Sequence, residues 1–281
     1  MGEEKVIVSL TTWSKRIHNL PIVLDSIYTQ TYLPDKVVLN LAHEDVVPSD
    51  VATYLKDHEV EVYYTEDTKV YKKFLPTLKR YPEACVINVD DDCIYPNTMI
   101  EDFMIMHEQY PQFPISGNRV VQYGMQCHCG CSSLTKAAYF GEWLDKIDNE
   151  LMMNCPSSDI VYTYFAVQNG HPYIRTNLEY FQNVVVNNLE SESYTNQIVR
   201  IDGIRQSYAY LTNRFGACPK AFSKYIRDEY LAGIIENIVS EEIGCQMEDI
   251  KERTEIKIRS SKAYRLGKFL LAPFSFIKKH L

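Results

Sequence analysis

The chain has 281 residues, of which 46% are hydrophobic and 23% are charged, and its formal net charge is -8. A chain of this length and apolar content can bury a substantial core, which is typical of an ordinary globular protein. The acidic balance argues against nucleic acid as the main partner, because binding to a phosphate backbone requires a basic surface.

The N-terminal part of the chain alternates between strand-like and helix-like hydrophobic patterns. The patterns predict strands at residues 5–10, 36–41 and 60–64, and helices at residues 20–28, 49–56 and 71–81. Strands that alternate with helices form a mainly parallel sheet with right-handed crossovers. The predicted fold class is therefore α/β, with a Rossmann-like sheet flanked by helices.

The next stretch, residues 84–96, joins an apolar strand to three consecutive acids, Asp90, Asp91 and Asp92. These acids then lie at the carboxyl edge of the sheet, where open α/β sheets bind ligands. Three like charges repel one another unless a cation or hydrogen-bond donors compensate them. Asp90 and Asp92 point the same way along an extended segment, so they can share one Mg²⁺ or Mn²⁺ ion. The alternative is a solvated acidic turn.

The later elements are predicted from weaker patterns. We expect a helix at residues 97–110, a strand within 115–121, a loop at 122–134, helical pieces over 136–151, a helix at 157–170, a short strand at 172–175, a mobile loop at 187–197 and an amphipathic helix at 221–239. Serines and Asp159 ahead of an apolar pattern mark the start of the helix at 157–170, and Asn-Gly marks its end.

Three segments together resemble a known enzyme group. Residues 8–17 (VSLTTWSKRI), 71–78 (YKKFLPTL) and 89–96 (VDDDCIYP) resemble the successive signatures of bacterial surface-polysaccharide glycosyltransferases of the GT-A fold, akin to family 2. The resemblance covers residues 5–175. It implies a GT-A-like sheet and a metal-dependent, inverting transfer of a sugar from a nucleoside-diphosphate sugar, with a UDP-sugar favoured, to a glycan or lipid-linked acceptor.

The resemblance also implies which residues hold the donor and the metal. The loop after the first strand would meet the base and ribose through Thr11, Thr12, Lys15 and Arg16, and Arg16 could also meet the diphosphate. A solvated basic loop is the alternative for Lys15 and Arg16. The family commonly has a proline near Ser14, which this chain lacks.

Around the acids, the resemblance implies that Asp90 and Asp92 bind Mn²⁺ or Mg²⁺ and that Asp91 approaches the donor ribose or sugar. Asp91 could instead be a solvated acid. Lys72 and Lys73 are adjacent, so in a helix only one of them can face the donor, and the sequence does not decide which.

Asp159 is the candidate general base, because inverting relatives carry a carboxylate at the start of this later helix to deprotonate the acceptor hydroxyl. Ser158 stands where the family tends to have a further acid. The alternative for Asp159 is an acid in the first helical turn that is stabilised by the helix dipole.

A run of cysteine and histidine at residues 127–131 (CHCGC) suggests zinc at first sight. Structural zinc sites usually combine two separated pairs of ligands, and this spacing lacks a distant partner pair, so we interpret the segment as a loop near the donor. With no secretion signal in the sequence, we expect reduced thiols. For His171 we weigh a metal or diphosphate contact against a histidine satisfied within a turn.

The C-terminal segment reverses the charge of the chain. Residues 251–281 contain nine Lys/Arg and two Glu, which leaves 20 basic and 35 acidic residues in 1–250. Basic residues interleaved with aromatic and aliphatic ones are typical of an interfacial membrane anchor, and a docked C-terminal helix is the alternative. We therefore predict a catalytic domain at 1–220, a helical extension at 221–281, and a cytoplasmic location, peripheral on the inner face of the cell membrane.

Two other functions stay open at this point. A sugar nucleotidyltransferase also uses acids and a metal at a sheet edge, but it normally has a glycine-rich loop after the first strand, and residues 11–16 contain no glycine. The other is a catalytically inactive GT-A-like scaffold within a membrane glycan-assembly complex. The intact Asp90, Asp92 and Asp159 argue against that scaffold.

Overall fold

The structure is a computed structural model that describes residues 4–117, 121–122, 125–126, 132–175, 182–183 and 201–217. Several predictions lie outside these residues: the domain boundary at 220, the CHCGC segment, the loop at 187–197, the helix at 221–239 and the basic tail. Among the described residues, no helix combines the length and the apolar character that crossing a membrane requires.

The described residues form short strands, most of which join one sheet. The strands are β1 (Val6–Thr11), β2 (Lys36–Ala42), β3 (Glu61–Thr65), β4 (Cys85–Val89), β5 (Cys93–Ile94), β6 (Ile115–Ser116), β7 (Val121–Gln122), β8 (Met125–Gln126), β9 (Ser132–Thr135), β10 (Ile174–Arg175) and β11 (Gln182–Asn183). Seven of them form a sheet in the order β10-β6-β9-β4-β1-β2-β3.

The main sheet is mostly parallel. Strand β1 pairs in parallel with β2 and β4, β2 with β3, and β6 with β10, whereas β9 is antiparallel to both of its neighbours, β4 and β6. The predicted fold class, an α/β domain with a mainly parallel sheet flanked by helices, is confirmed. The core strands β1 and β4 are mostly apolar and almost completely buried, as expected of central parallel strands covered on both faces.

Helices occupy most of the positions that the sequence predicts. They are α1 (Leu20–Tyr28), α2 (Ser49–Asp57), α3 (Leu75–Arg80), α4 (Met99–Gln109), α5 (Asn149–Asn154), α6 (Ser158–Gln168) and α7 (Ile201–Phe215). The predicted helices at 20–28, 49–56, 97–110 and 157–170 are confirmed within two residues at each end, and Asp159 lies in the first turn of α6. Helix α7 was not anticipated.

The single helix predicted for residues 71–81 is wrong. Residues Lys69–Lys73 form a 3-10 helix, and α3 begins only after Phe74, whose backbone departs from helical geometry at φ -127 and ψ -51. The cause is Pro76, which has no N–H to donate to the preceding turn and is tolerated only in the first turn of a helix. The chain therefore starts a new helix around the proline.

The loop predicted for residues 122–134 is also wrong in part, because its end forms β9 (Ser132–Thr135). This strand is buried between β4 and β6, although its sequence, Ser-Ser-Leu-Thr, is mostly polar. Its stability comes from pairing on both sides and from polar contacts such as Ser133 Oγ with Asn88 Oδ1. Neither effect is visible in the local hydrophobic pattern.

An aromatic cluster fixes α6 beneath the carboxyl edge of the sheet. The ring of Tyr162 lies 4.9 Å from that of Phe74 and 5.6 Å from that of Phe140. Tyr71 Oη donates a hydrogen bond of 2.5 Å to the carbonyl of Cys155, just ahead of α6. These contacts tie the start of α6 to the 3-10 helix and so place Asp159 relative to Lys73.

Candidate functional site

The three aspartates follow β4 directly, and the loop after β1 reaches them from the neighbouring strand. Arg16 Nη2 lies 2.8 Å from Asp91 Oδ1 and also forms an ion pair with Asp92. Thr12 Oγ1 donates a hydrogen bond of 2.6 Å to Asp91 Oδ2. The parallel pairing of β1 with β4 brings these two loops to the same edge, as the sequence predicts.

Asp91 is the most enclosed of the three acids, with 8% of its surface exposed. Burial raises the pKa of Asp91 to about 6, even though the charge of Arg16 and the hydrogen bond from Thr12 act to lower it. The neighbouring acids Asp91 and Asp92 raise the pKa of Arg16, although burial opposes the shift. Both partners are therefore charged at neutral pH, and the buried pair orders the loop after β1.

The two adjacent lysines face different acids, while which of them contacts the donor stays a prediction. Lys73 Nζ donates a hydrogen bond of 2.6 Å to Asp90 Oδ1. Lys72 Nζ lies 2.7 Å from Asp67 Oδ1 and 3.9 Å from Asp45 Oδ2. Lys73 thus belongs with the aspartates after β4, whereas Lys72 is held among acids that follow β2 and β3.

The backbone of Lys73 is anchored to the sheet. Ser9 Oγ, on β1, donates a hydrogen bond of 2.6 Å to the Lys73 carbonyl and lies 2.7 Å from Thr77 Oγ1. Asn40 Nδ2, on β2, donates to the same Thr77 oxygen at 2.9 Å. This buried polar network fixes the 3-10 helix over the ends of β1 and β2, so the position of Lys73 is set by the sheet.

Asp159 lies within electrostatic range of the same group. Burial raises its pKa, the positive charge of Lys73 lowers it, and the negative charge of Asp90 raises it further. Among the described residues, none donates a hydrogen bond to the side-chain carboxylate of Asp159. The N-cap of α6 is Ser157, so Asp159 is not the capping residue of this helix. A half-buried carboxylate of raised pKa that does not cap its helix suits a proton acceptor.

A possible metal site lies at the end of β4. One ligand atom each from Asp90, Asp92 and Cys93 can be chosen so that all three lie within 4.8 Å of one another. The carboxylate oxygens fit Mg²⁺ or Mn²⁺, which prefer hard ligands, whereas the thiol of Cys93 does not. Sequence reasoning did not include Cys93, although its place directly after the acids was a usable signal.

Thr11 and His171 lie away from the aspartates. Thr11 Oγ1 donates a hydrogen bond of 2.6 Å to the carbonyl of Asn40 on β2, so Thr12 and not Thr11 contacts the acids. His171 Nδ1 lies 2.8 Å from the carbonyl of Gln112 and the ring packs against Tyr139. His171 is thus a satisfied turn histidine, the second of the two predicted alternatives.

Sequence reasoning also missed two acids beside Lys72. Asp45 accepts hydrogen bonds from the backbone N–H and the hydroxyl of Ser14, in the loop after β1. Desolvation acts to raise the pKa of Asp67, but hydrogen bonds from Lys69 and Lys72 lower it to about 2. Both acids stand just beyond the carboxyl ends of strands, which was the one available sequence signal.

No protein-family model and no curated protein matches the chain. Solved structures that resemble it include S. aureus TarS 1-349, with a TM-score of 0.49 and 14% identity, covering 78% of this chain and 74% of that one. A cytidylyltransferase from Leptospira borgpetersenii serovar Hardjo-bovis has a TM-score of 0.47 and 12% identity, and the match covers 75% of this chain and 95% of that one. The structure of 4-diphosphocytidyl-2C-methyl-D-erythritol synthase has a TM-score of 0.44 and 11% identity, and the match covers 68% of this chain and 97% of that one. Similarities this weak do not distinguish one activity from another.

Proposed function

We propose that this chain is a metal-dependent glycosyltransferase that moves a sugar from a nucleoside-diphosphate sugar, with a UDP-sugar favoured, to a glycan or lipid-linked glycan acceptor. The observation that carries the proposal is the convergence of three kinds of groups at one sheet edge. Acids of metal-binding type (Asp90 and Asp92), two cations (Arg16 and Lys73) and a half-buried carboxylate (Asp159) lie together there.

The chemistry of sugar transfer requires the first two kinds of groups. The leaving group is a nucleoside diphosphate, whose developing negative charge must be neutralised for the bond to break. Asp90 and Asp92 would hold Mn²⁺ or Mg²⁺, and such an ion supplies that neutralisation when bound. Arg16 and Lys73 add positive charge beside the same acids. A diphosphate would compete with these acids for both cations, so we expect the diphosphate to bind beside Asp90 and Asp92.

The third kind of group serves the acceptor. An acceptor hydroxyl becomes a strong nucleophile only when its proton is removed as it attacks the anomeric carbon. Asp159 combines a raised pKa with a side-chain carboxylate that accepts no hydrogen bond from the other described residues. We assign it the proton-accepting role, and a single base on the face opposite the leaving group gives inversion of the anomeric configuration.

The experiment that tests the proposal is calorimetric titration of nucleoside diphosphates and nucleotide sugars, with and without Mn²⁺, followed by a turnover assay with the donor that binds. We expect metal-dependent binding of one nucleoside diphosphate, lost in an Asp90→Ala, Asp92→Ala double variant. Product NMR should then show an inverted anomeric configuration.

The controls separate this function from its rivals. An Asp102→Asn variant, which changes an acid on α4 outside the site, should bind the donor as the wild type does. Turnover of a nucleoside triphosphate with a sugar 1-phosphate, and none with a nucleotide sugar, would identify a nucleotidyltransferase instead. A folded protein that binds no nucleotide at all would indicate an inactive scaffold.

A further inference from the structure

A second cluster of metal-ligating side chains lies at the opposite edge of the sheet. Glu4 precedes β1, Cys85 is the first residue of β4, and His107 lies on α4. Asp90 follows the last residue of β4, so at the usual rise per residue about 16 Å of strand separate Cys85 from the candidate active site. The two groups are therefore distinct sites.

The ligand atoms of this cluster converge. Glu4 Oε2 lies 2.9 Å from His107 Nε2 and 3.4 Å from Cys85 Sγ, and all three atoms lie within 4.8 Å of one another. Cys85 and His107 are buried, whereas the Glu4 side chain is 43% exposed. Glu4 thus closes the group on its solvent side and leaves a path for an ion to enter.

The hydrogen bonds around His107 orient its ring for metal binding. Tyr139 Oη donates its proton to the carbonyl of Pro111 at 2.7 Å, so the same oxygen can only accept from His107 Nδ1, at 3.4 Å. With the proton on Nδ1, Nε2 carries a lone pair that points at the Glu4 carboxylate. Two lone-pair-bearing atoms 2.9 Å apart repel each other unless a cation or an additional proton lies between them.

We propose that Glu4, Cys85 and His107 form a zinc site at the amino edge of the sheet. A thiolate, an imidazole nitrogen and a carboxylate oxygen are the three ligand types that zinc takes in proteins, and water would take the fourth position, as in zinc sites that keep one coordination position open. The outer contacts match those of established metal sites, where the second ring nitrogen and the ligating carboxylate are themselves held. Here Tyr139 holds Nδ1 of His107, and Lys136 Nζ lies 2.5 Å from Glu4 Oε1.

The site joins three elements that are distant in sequence. It connects the start of β1, the start of β4 and helix α4, and it lies far from the groups assigned to sugar transfer. An ion bound here would lie too far from the groups assigned to sugar transfer to take part in that reaction, and its binding would stabilise the folded state. Because binding of an ion to the folded state alone stabilises that state, the melting temperature must depend on zinc.

The test uses Co²⁺ as a spectroscopic probe in the full chain with Cys127, Cys129 and Cys131 changed to serine, which removes the other cysteine-rich segment. We expect thiolate-to-cobalt charge-transfer absorption, with one metal equivalent lost in Cys85→Ser. Cys155→Ser, which changes another buried cysteine, is the matched control and should keep that equivalent.

Thermal unfolding supplies the second readout. With free Zn²⁺ at a hundredfold excess over its dissociation constant, Tm should rise by roughly 5–10 °C. This rise should disappear in Glu4→Ala, a partly exposed position that tolerates substitution, and in His107→Gln. Equal metal stoichiometry in the parent and Cys85→Ser, or an equal zinc-induced shift in the parent and Glu4→Ala, would overturn the proposal. In that case a protonated His107 paired with Glu4 accounts for the cluster.

Discussion

At the scale of single residues, Arg16 is the side chain on which the candidate active site depends most. It pairs with Asp91 and Asp92 at once and thereby neutralises much of the repulsion among three consecutive acids. A nucleoside diphosphate would compete with these acids for the same guanidinium. Arg16 therefore links the organisation of the acids to the binding of the donor.

Replacing Arg16 by glutamine should change the affinities for the nucleoside diphosphate and for Mn²⁺ in opposite directions. Diphosphate affinity should fall about ten- to hundredfold, the value of one or two charge-assisted hydrogen bonds. Affinity for Mn²⁺ alone should rise, because Asp92 loses its competing cation. Calorimetry measures both, and Lys56→Gln, which changes an exposed cation on α2, is the control. A fall in both affinities would show that Arg16 mainly maintains the loop.

Asp159→Asn should separate binding from turnover. If Asp159 is the general base, kcat should fall about 10²- to 10⁴-fold, while the dissociation constant for the nucleotide stays unchanged. Asp145→Asn, at an exposed acid on the adjacent 3-10 segment Gly141–Lys146, should leave both unchanged. Retention of wild-type kcat in Asp159→Asn would reassign the base.

Acidic pH should weaken donor binding earlier than an ordinary aspartate would. Burial raises the pKa of Asp91 to about 6, so the carboxylate is ionised at pH 7 and becomes protonated as the pH falls through that value. A neutral Asp91 loses the ion pair with Arg16 that orders the loop after β1, and a disordered loop no longer holds Arg16 and Thr12 beside the diphosphate site. This loss outweighs the release of Arg16 from its competing acid. We therefore expect nucleotide affinity to decrease between pH 7 and 5, measured by calorimetry at matched ionic strength. A flat profile down to pH 5 would contradict this role for Asp91.

At the scale of elements, Asp148 links α5 to α7. Asp148 caps α5 by accepting a hydrogen bond of 2.8 Å from the N–H of Leu151, and it also pairs with Arg214 on α7 at 2.6 Å. Helix α7 in turn packs its Phe215 against Phe165 of α6, with ring centroids 5.3 Å apart. This arrangement supports α6, which carries Asp159.

Acidic pH should weaken the ion pair between Asp148 and Arg214. Hydrogen bonds from Arg214 and from Leu151 lower the pKa of Asp148 to about 2 from an ordinary 3.8. A folded-state pKa below the unfolded one gives stability that is present above pH 4 and lost as the pH falls towards 2. Because the pair is partly exposed, its contribution is about 0.5 kcal/mol.

The matched variant for this prediction is Asp148→Asn, which can still cap α5 but cannot pair with Arg214. Urea unfolding between pH 5 and 2.5 should show a shallower loss of stability in Asp148→Asn than in the wild type. Arg214→Gln should flatten the profile in the same way. If only one of the two variants does so, the ion pair is not the cause.

At the scale of the whole molecule, charge is divided unevenly along the chain. Residues 251–281 carry a surplus of seven positive charges, from nine Lys/Arg and two Glu, whereas the chain as a whole is at -8. These residues lie outside those that the structure describes, so membrane association stays a prediction from composition. An anchor of this kind would bring the candidate active site to lipid-linked acceptors.

Sedimentation with anionic vesicles tests this prediction. The full chain should bind vesicles that contain phosphatidylserine, bind less at high salt, and bind weakly to neutral vesicles, because basic residues near an anionic surface contribute about 1 kcal/mol each. A version that ends at residue 256 should lose most of this binding. Equal sedimentation of the two versions would remove the case for an anchor.

The sequence by itself determined the fold class and the acids at its centre. Buried parallel strands need nearly continuous apolar runs, and helices between them need a period of 3.6, so both patterns survive in the local sequence. The run of acids after β4 placed Asp90, Asp91 and Asp92 at the carboxyl edge for the same reason. The serine-rich start of α6 likewise put Asp159 in its first turn.

Only the tertiary structure decided which partners these residues have. Lys72 and Lys73 are equivalent in sequence, and the anchoring of the 3-10 helix by Ser9 turned Lys73 towards Asp90. The sequence also did not predict strand β9 or the cluster of Glu4, Cys85 and His107. Their stability comes from contacts between residues far apart in the chain, and no local periodicity records such contacts.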